Sequence, residues 1–445
     1  MTNGELSKGI LKATPLPYHD RMSTQQGKIR VGMVGLGMIF DDTYRPLFEQ
    51  LSRSGLYHRA TGHIDVELSA VGSRTGKRAQ KLLDSGSLGQ FVSFVGESSV
   101  AELLQHGVDV VCIATPDNRH FSGAKAALQA GKHVLIEKPS VLSLQELDEL
   151  VSLADQNNVL ARVVYHKLAD PDHKRLRTLV VDNVLQHVNS GFCSLLEPKQ
   201  ISGDQFAEWI TGRNPGTYVA VHYLKLIDFS FGPDWRLTRI QATGQRGLVG
   251  PVDGPTWDSV QLQVVYTHPD QREAAFDIHT SWVTPDNFPG YVEQEVQFRF
   301  DNAIWNAHQR KRGVELAIEG QSPTPFKNTP NHHYNGSFLE PWGERSVRGY
   351  GLEIIQRFLE EVAYVKHGGP DTEYAQRLSE VRSMSYADLS ADRNVVAIVQ
   401  SMEALLAEHA KGNPGCVVRV NQSQGGLALY RPGQSMPEIL YSEKV

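Results

Sequence analysis

Residues 28–40, KIRVGMVGLGMIF, decide the fold. A β-rich run ends on Gly35 and the next residues, 38–52, suit a helix, so the segment predicts strand, tight turn, helix. Further along, a second apolar run at 66–71 precedes a basic, helix-like stretch at 76–83, and a third strand is expected over 90–95. Short apolar runs at 109–114 (DVVCIA) and 133–136 (HVLI) flank a helical pattern at 119–130, which Gly131 closes as a C-cap. Another helix is expected over 143–156 and a strand over 160–165. Short strands alternating with helices imply a parallel sheet covered on both faces.

After residue 165 the rhythm changes. Segments 236–245, 259–267, 274–283, 292–300 and 303–309 alternate apolar with polar and have no helices between them, as in an antiparallel sheet. Helical patterns at 352–366 and 391–411 are expected to pack on that sheet. Residues 321–350, rich in Pro, Asn, His and aromatics, read as a loop too long for a plain connector. The expected division is a flexible arm (1–27), a doubly wound α/β domain (28–165) and an α+β domain (166–445) with a large, mostly antiparallel, open-faced sheet.

Composition narrows the class. A chain of 445 residues favours two or three domains, and 40% hydrophobic with 21% charged residues fits an ordinary soluble α/β protein. A net charge of −6 without runs of like charge argues against a nucleic-acid partner and favours a small molecule. Cys112, Cys193 and Cys416 are scattered and lack metal-ligand spacing, so structural thiols in a reducing compartment are expected. No apolar run approaches the ~18 residues a membrane span needs. The first 27 residues lack a signal core, so a cytoplasmic location without membrane attachment is expected.

Gly35-Leu36-Gly37-Met38-Ile39-Phe40 stands where a dinucleotide fingerprint stands. Gly35 would make the tight turn and Gly37 would let the backbone approach a pyrophosphate, with Met38 and Ile39 opening the helix whose positive end faces it. Phe40 occupies the place of a small packing residue, so the motif alone is equally consistent with a bare structural turn. At the end of the second strand, Val71-Gly72-Ser73-Arg74-Thr75 with Lys77 and Arg78 offers no acid to read an adenosine ribose. Ser73, Arg74 and Arg78 suit a 2′-phosphate, which favours NADP(H), with NAD(H) as the alternative; a solvated basic helix start is the competing reading.

The most specific pair is Ala114-Thr115-Pro116-Asp117-Asn118-Arg119-His120 and, one helix later, Glu137-Lys138-Pro139. Both fall at carboxyl ends of consecutive parallel strands, where open α/β sheets bind ligands. With the glycine turn upstream, this pair resembles the Gfo/Idh/MocA family, named for glucose-fructose oxidoreductase and inositol dehydrogenase, and the likeness extends over nearly the whole chain from residue 28. The resemblance implies that Thr115, Pro116 and His120 line a cofactor groove. It also implies that Glu137 and Lys138 adjoin the nicotinamide, with Lys138 bonding both cofactor and substrate hydroxyl. Independently, an ammonium beside an alcohol oxygen stabilises the charge that develops as the hydroxyl proton leaves.

The family's second signature is an Asp-x-Gly-x-His. Here Tyr218-Val219-Ala220-Val221-His222 follows an Asn214-Pro215-Gly216 turn and precedes an apolar helix at 224–231. His222, whose imidazole titrates near neutrality in water, is the candidate acid/base. Tyr218, also a substrate contact, replaces the aspartate that would fix its tautomer. Lys167, just past the last strand of the first domain, is a candidate substrate contact. His166, Asp170, Asp172 and His173 suggest a metal, but Pro171 breaks helical spacing; they read as an exposed loop, and no metal is expected. His332, His333, Tyr334 and Trp342 suit either sugar rings or subunit contacts and stay outside the candidate site.

The resemblance implies a reversible oxidoreductase interconverting alcohol and ketone, or lactol and lactone, on a sugar, cyclitol or glycoside. It further implies a homo-oligomer, dimer or tetramer, joined through the open sheet face. Two rivals remain: a cofactor retained through turnover, and a non-catalytic ligand sensor. Phe40 and Tyr218 motivate the sensor; Lys138 and His222 argue against it.

Overall fold

A computed structural model describes residues 27–199, 210–286, 292–308, 331–384, 386–421 and 425–443. The expected arm up to residue 26 and positions 321–330 of the long loop lie outside the described residues.

The first sheet contains β1 (Gly27–Val34), β2 (Leu56–His58), β3 (Gly62–Ser73), β4 (Val92–Val95), β5 (Val110–Ile113), β6 (His133–Glu137) and β7 (Ala161–Val164). Its order is β2-β3-β1-β5-β6-β7, with β4 also on β3, and every pairing except that of β2 is parallel. β5, β6 and β7 are buried along their whole length, which is why they read as unbroken apolar runs rather than alternating ones. The intervening helices are α1 (Arg45–Ser54), α2 (Lys77–Ser85), α3 (Ser99–Gln105), α4 (His120–Gln129) and α5 (Leu144–Gln156). Ser143 caps α5, its hydroxyl accepting from the Glu146 amide at 3.3 Å. Connections leave β1 toward β3 on one side and toward β5 on the other, so a crevice opens at the carboxyl ends near β1.

The remaining elements are α6 (Pro171–Val181), β8 (Val188–Pro198), α7 (Val221–Phe231), β9 (Arg236–Gln245), β10 (Ser259–Thr267), β11 (Glu273–Thr284), β12 (Glu293–Phe300) and β13 (Ile304–His308). After them come β14 (Gly336–Leu339), β15 (Arg345–Arg348), α8 (Tyr350–His367), α9 (Tyr374–Met384), α10 (Arg393–Ala410), β16 (Val417–Asn421), β17 (Gly426–Tyr430) and β18 (Glu438–Tyr441). Nine of these strands form a sheet ordered β13-β12-β8-β11-β10-β9-β16-β17-β18, antiparallel except between β8 and β11. Along β11 buried residues alternate with half-buried ones, the pattern of a sheet with one face in the core. No helix among the described residues is long and apolar enough to cross a membrane.

Several expectations are corrected. α10 packs on β9 as expected, but α8 turns back and lies against β1, β6 and β7 of the parallel sheet. The later half of the expected loop forms the β14–β15 hairpin. Pro171 does not break a helix: it opens α6 at the first turn, where a missing N–H costs nothing, and Asp170 caps it by accepting from the Asp172 amide at 3.0 Å. The exposed loop expected around it is instead interior: Asp170 and His173 are fully buried and His166 nearly so.

Candidate active site

At the crevice, Gly35 adopts φ +93°, and a Cβ there would sit 2.4 Å from the Ala114 carbonyl oxygen. Its amide donates to the Gly72 carbonyl at 3.0 Å, tying the turn to the end of β3. Gly37 differs: nothing lies within 4 Å of a Cβ built on it, so its backbone borders open space. The helix begins at Met38 and Ile39, leaving its first amides without intrahelical partners, as an anion site requires. Phe40 enters the core completely, and there the helix widens into a π-helical turn over Phe40–Tyr44.

The 2′-phosphate candidates separate. Arg74 is exposed just past the end of β3, and Arg78 is ion-paired with Asp41 from the helix after the glycine turn. The Ser73 hydroxyl accepts from the Gly76 amide at 3.2 Å and shapes the turn into α2.

Past β5, Thr115 has a buried Oγ1 without a hydrogen-bond partner, beside Pro116. His120 is 1% exposed and holds the groove from beneath instead of lining it: Nδ1 lies 2.7 Å from the Pro139 carbonyl oxygen and Nε2 2.8 Å from that of Thr115. Two carbonyl partners are fully satisfied only by the imidazolium, while burial pulls the ring's pKa down. In either state the ring pins the Thr115 loop to the Lys138 loop.

Glu137 is buried at the end of β6 and accepts from the Tyr44 hydroxyl at 3.0 Å. Burial raises its carboxyl to about 7, against the pull of Lys138 and of that hydrogen bond. The adjoining Lys138 crosses to the other half of the molecule. Its Nζ donates to the Tyr218 carbonyl at 2.8 Å and stands 3.9 Å from the centroid of the Tyr218 ring. Burial lowers the Lys138 pKa, and Glu137, Glu197 and Asp117 oppose that shift.

Tyr218 lies in a π-helical turn, Gly216–Ala220, that leads into α7, and His222 follows one turn later. The Asn214 side chain fixes this entry by accepting from the Thr217 amide at 2.7 Å. His222 Nδ1 is buried without a hydrogen-bond partner. Burial, then the charge of Lys138, holds the ring well below its ordinary 6.5, so it is neutral at physiological pH. His166 lies beside it, ring centroids 6.5 Å apart, and Tyr334 meets His166 edge-on at 5.7 Å. Lys167 is buried, its Nζ donating to Gln294 Oε1 at 2.5 Å.

Thus Lys138 meets Tyr218 where the two halves adjoin, and the charges of Lys138 and Lys167 both act on the His222 ring. Sequence reasoning weighed His166 and Tyr334 but left them outside the site, and it missed Glu197. Glu197 lay on β8, which was not foreseen. The signal for it was the alternation Cys193, Leu195, Glu197 along one face of a strand. Elsewhere, His187, His268 and Asp270 bring potential metal-ligand atoms within 4.8 Å of one another, but Arg272 Nε already donates to Asp270 at 2.9 Å.

A glycine turn at the switch point and a lysine two strands away stand where an open α/β sheet binds a dinucleotide. Residues 29–165 match the Gfo/Idh/MocA family model, described as oxidoreductase family, NAD-binding Rossmann fold. Among curated relatives, an uncharacterized oxidoreductase of Bacillus subtilis is 32% identical over 187 residues, 40% of this chain and 46% of that protein. An NADP(+) scyllo-inositol 2-dehydrogenase of the same organism is 24% identical over 163 residues, 36% of this chain and 40% of the relative. The matches thus span less than half of these relatives. The solved structure of an inositol dehydrogenase homolog of Azotobacter vinelandii, complexed with NADH and myo-inositol, superposes with a TM-score of 0.59 at 19% identity. It covers 87% of this chain and 96% of that one, so the two-sheet fold is shared.

Proposed function

We propose that the chain is an NAD(P)-dependent dehydrogenase that interconverts a secondary alcohol and a ketone, or a lactol and a lactone, on a sugar, cyclitol or glycoside. The observation that carries this reading is the reach of Lys138 Nζ to the Tyr218 carbonyl, 80 residues away, one turn before His222. The crevice suits a dinucleotide: Gly37 borders open space, and Thr115 Oγ1 is a buried polar atom awaiting a partner. The nicotinamide, when bound, supplies the hydride acceptor or donor. Lys138 donates a hydrogen bond to the substrate oxygen and stabilises its developing charge. His222, held neutral, takes the hydroxyl proton on a ring nitrogen and returns it in the reverse direction. Tyr218 and Lys167 flank the substrate, and exposed Arg74 favours NADP(H).

The relatives that act on inositol support a polyhydroxy substrate, as do the aromatic rings around the cleft. The test is absorbance of reduced nicotinamide during incubation with a panel of sugars and cyclitols. Lys138→Ala is expected to lower turnover by about 10²–10³, the usual cost of one charge-stabilising donor. Turnover unchanged in Lys138→Ala refutes the mechanism, and tight cofactor binding without turnover on any polyol favours the sensor.

A further inference from the structure

One ionisable side chain in the cleft has no part in the chemistry above. Glu197 ends β8 on the inward face of the nine-stranded sheet and is 6% exposed. Its Oε2 accepts from the Trp282 indole at 2.8 Å, and Trp282, on neighbouring β11, is fully buried. The Trp282 ring lies 6.2 Å from that of Tyr218, the same ring over which Lys138 Nζ stands at 3.9 Å. Glu197, Trp282, Tyr218 and Lys138 therefore form a continuous line from the second sheet to the tip of β6. Trp282 and Ile210 form a small cluster against which Met38, at the start of the helix after the glycine turn, and Tyr218 pack. A buried carboxylate is costly unless it is both hydrogen-bonded and opposed by positive charge. The indole supplies the first of these and Lys138 the second.

We infer that Glu197 is a positioning residue, a counter-charge delivered by the second sheet that keeps Lys138 an ammonium directed at the substrate oxygen. This rests on the proposed role of Lys138, but its physical content is the charge state of one amine. The carboxylates facing Lys138 come from three sides: Glu137 on β6, Asp117 after β5 and Glu197 on β8. Its charge is felt by His166 after β7 and by His222 on α7, and Lys167 adds a second cation beside both rings. Burial raises Glu197 to about 7, opposed by Lys138 and the indole bond, so its support of Lys138 changes across neutral pH.

Glu197→Gln removes the charge and keeps an oxygen to accept from the indole. The experiment is trace acetylation of the whole protein with acetic anhydride from pH 6 to 10, with labelling at Lys138 read by peptide mass spectrometry. It needs neither cofactor nor substrate, so failure of the dehydrogenase reading leaves it interpretable. Lys138 is partly exposed and so within reach of a small reagent, and buried Lys225 serves as an internal control. In Glu197→Gln the Lys138 titration is expected to move to lower pH, with about tenfold more labelling at pH 7, the equivalent of one pKa unit. Glu197→Asp is expected to restore most of the wild-type curve. Superimposable Lys138 titrations overturn the inference. So does a parallel rise at Lys138 and Lys225 without a shift of midpoint, which is the mark of a loosened structure.

Discussion

Glu137→Gln tests the electrostatics of the cleft where a magnitude can be worked out. Burial lifts the carboxyl from its ordinary 4.5 to about 7, and at 5% exposure little solvent screening discounts that shift. The folded-state value lies above the unfolded one, so the group's contribution to stability is fully present below about 4.5 and is lost as pH rises through about 7. A difference of about 2.5 units corresponds to about 3 kcal/mol. Glutamine has nearly the same shape and still accepts from the Tyr44 hydroxyl, but it does not titrate. Its amide adds a cost that is the same at every pH, so the pH dependence of the wild-type-to-variant difference isolates the ionisation. Urea unfolding at pH 5, where the unfolded carboxyl is already mostly ionised, and at pH 8.5 should therefore show that difference moving by about 2.5 kcal/mol in favour of the variant at the higher pH. A gap that stays constant within about 0.5 kcal/mol, well below the linkage expected for such a shift, refutes the reasoning.

Gly35→Ala should destabilise the domain and abolish dinucleotide binding, because the new methyl meets the Ala114 carbonyl and φ is positive there; Gly37→Ala should fold normally and weaken only binding. Thermal melts together with NADPH fluorescence titration separate the two, and equal behaviour of the variants contradicts the geometry. Arg74→Ala should weaken NADP⁺ relative to NAD⁺ by roughly tenfold or more, the loss of one charge-assisted bond. Calorimetric titration of both cofactors decides this, and unchanged selectivity in Arg74→Ala removes the NADP(H) preference. If His222 acts as a neutral imidazole with a depressed pKa, turnover should show no His222-dependent loss on going from pH 7.5 to 6. A break near 6.5 in wild type that disappears in a residually active His222→Gln places an ordinary histidine there instead.

Most of the first domain was legible because local rules and tertiary fold agree there: β5, β6 and β7 are short buried runs, and Gly35 and Lys138 sit where strands end. β2 and α3 were not expected, and β3 extends to both sides of the run at 66–71. The second domain was half legible. β9 and β10 match their expected limits, since one face of each is buried and the alternation survives. β8 was missed because nearly all of its second half is buried, so the residues between Cys193, Leu195 and Glu197 do not set that face off as polar ones would, and the run SLLEP has no obvious type. α6 was missed because Pro171 was read as a breaker when it is a starter. The same error made His166 and His173 look like surface residues. Of the candidate site, Lys138 and His222 were singled out through the family resemblance, whereas Glu197 and Tyr334 come from distant segments, and only the tertiary fold brings them near.

The boundary at residue 165 marks a change of sequence pattern, but physically the two halves are interlocked. Arg162 on β7 is 1% exposed, and its partners come from far along the chain: Glu361 on α8 at 2.8 Å, the Asp388 carboxylate and the Val381 carbonyl at 3.2 Å. A buried guanidinium stripped of such partners costs about 3–5 kcal/mol, a large share of the stability of a typical domain. α8 covers β1, β6 and β7, and Lys366 on the same helix pairs with Asp109 just before β5. The strands whose tips carry Gly35 and Lys138 are thus buttressed by the helix that follows the β14–β15 hairpin. Lys138 is in turn desolvated by Tyr218 on the entry to α7. A lysine whose charge is set by groups from both halves is therefore a property of the whole chain, and neither half supplies its surroundings alone.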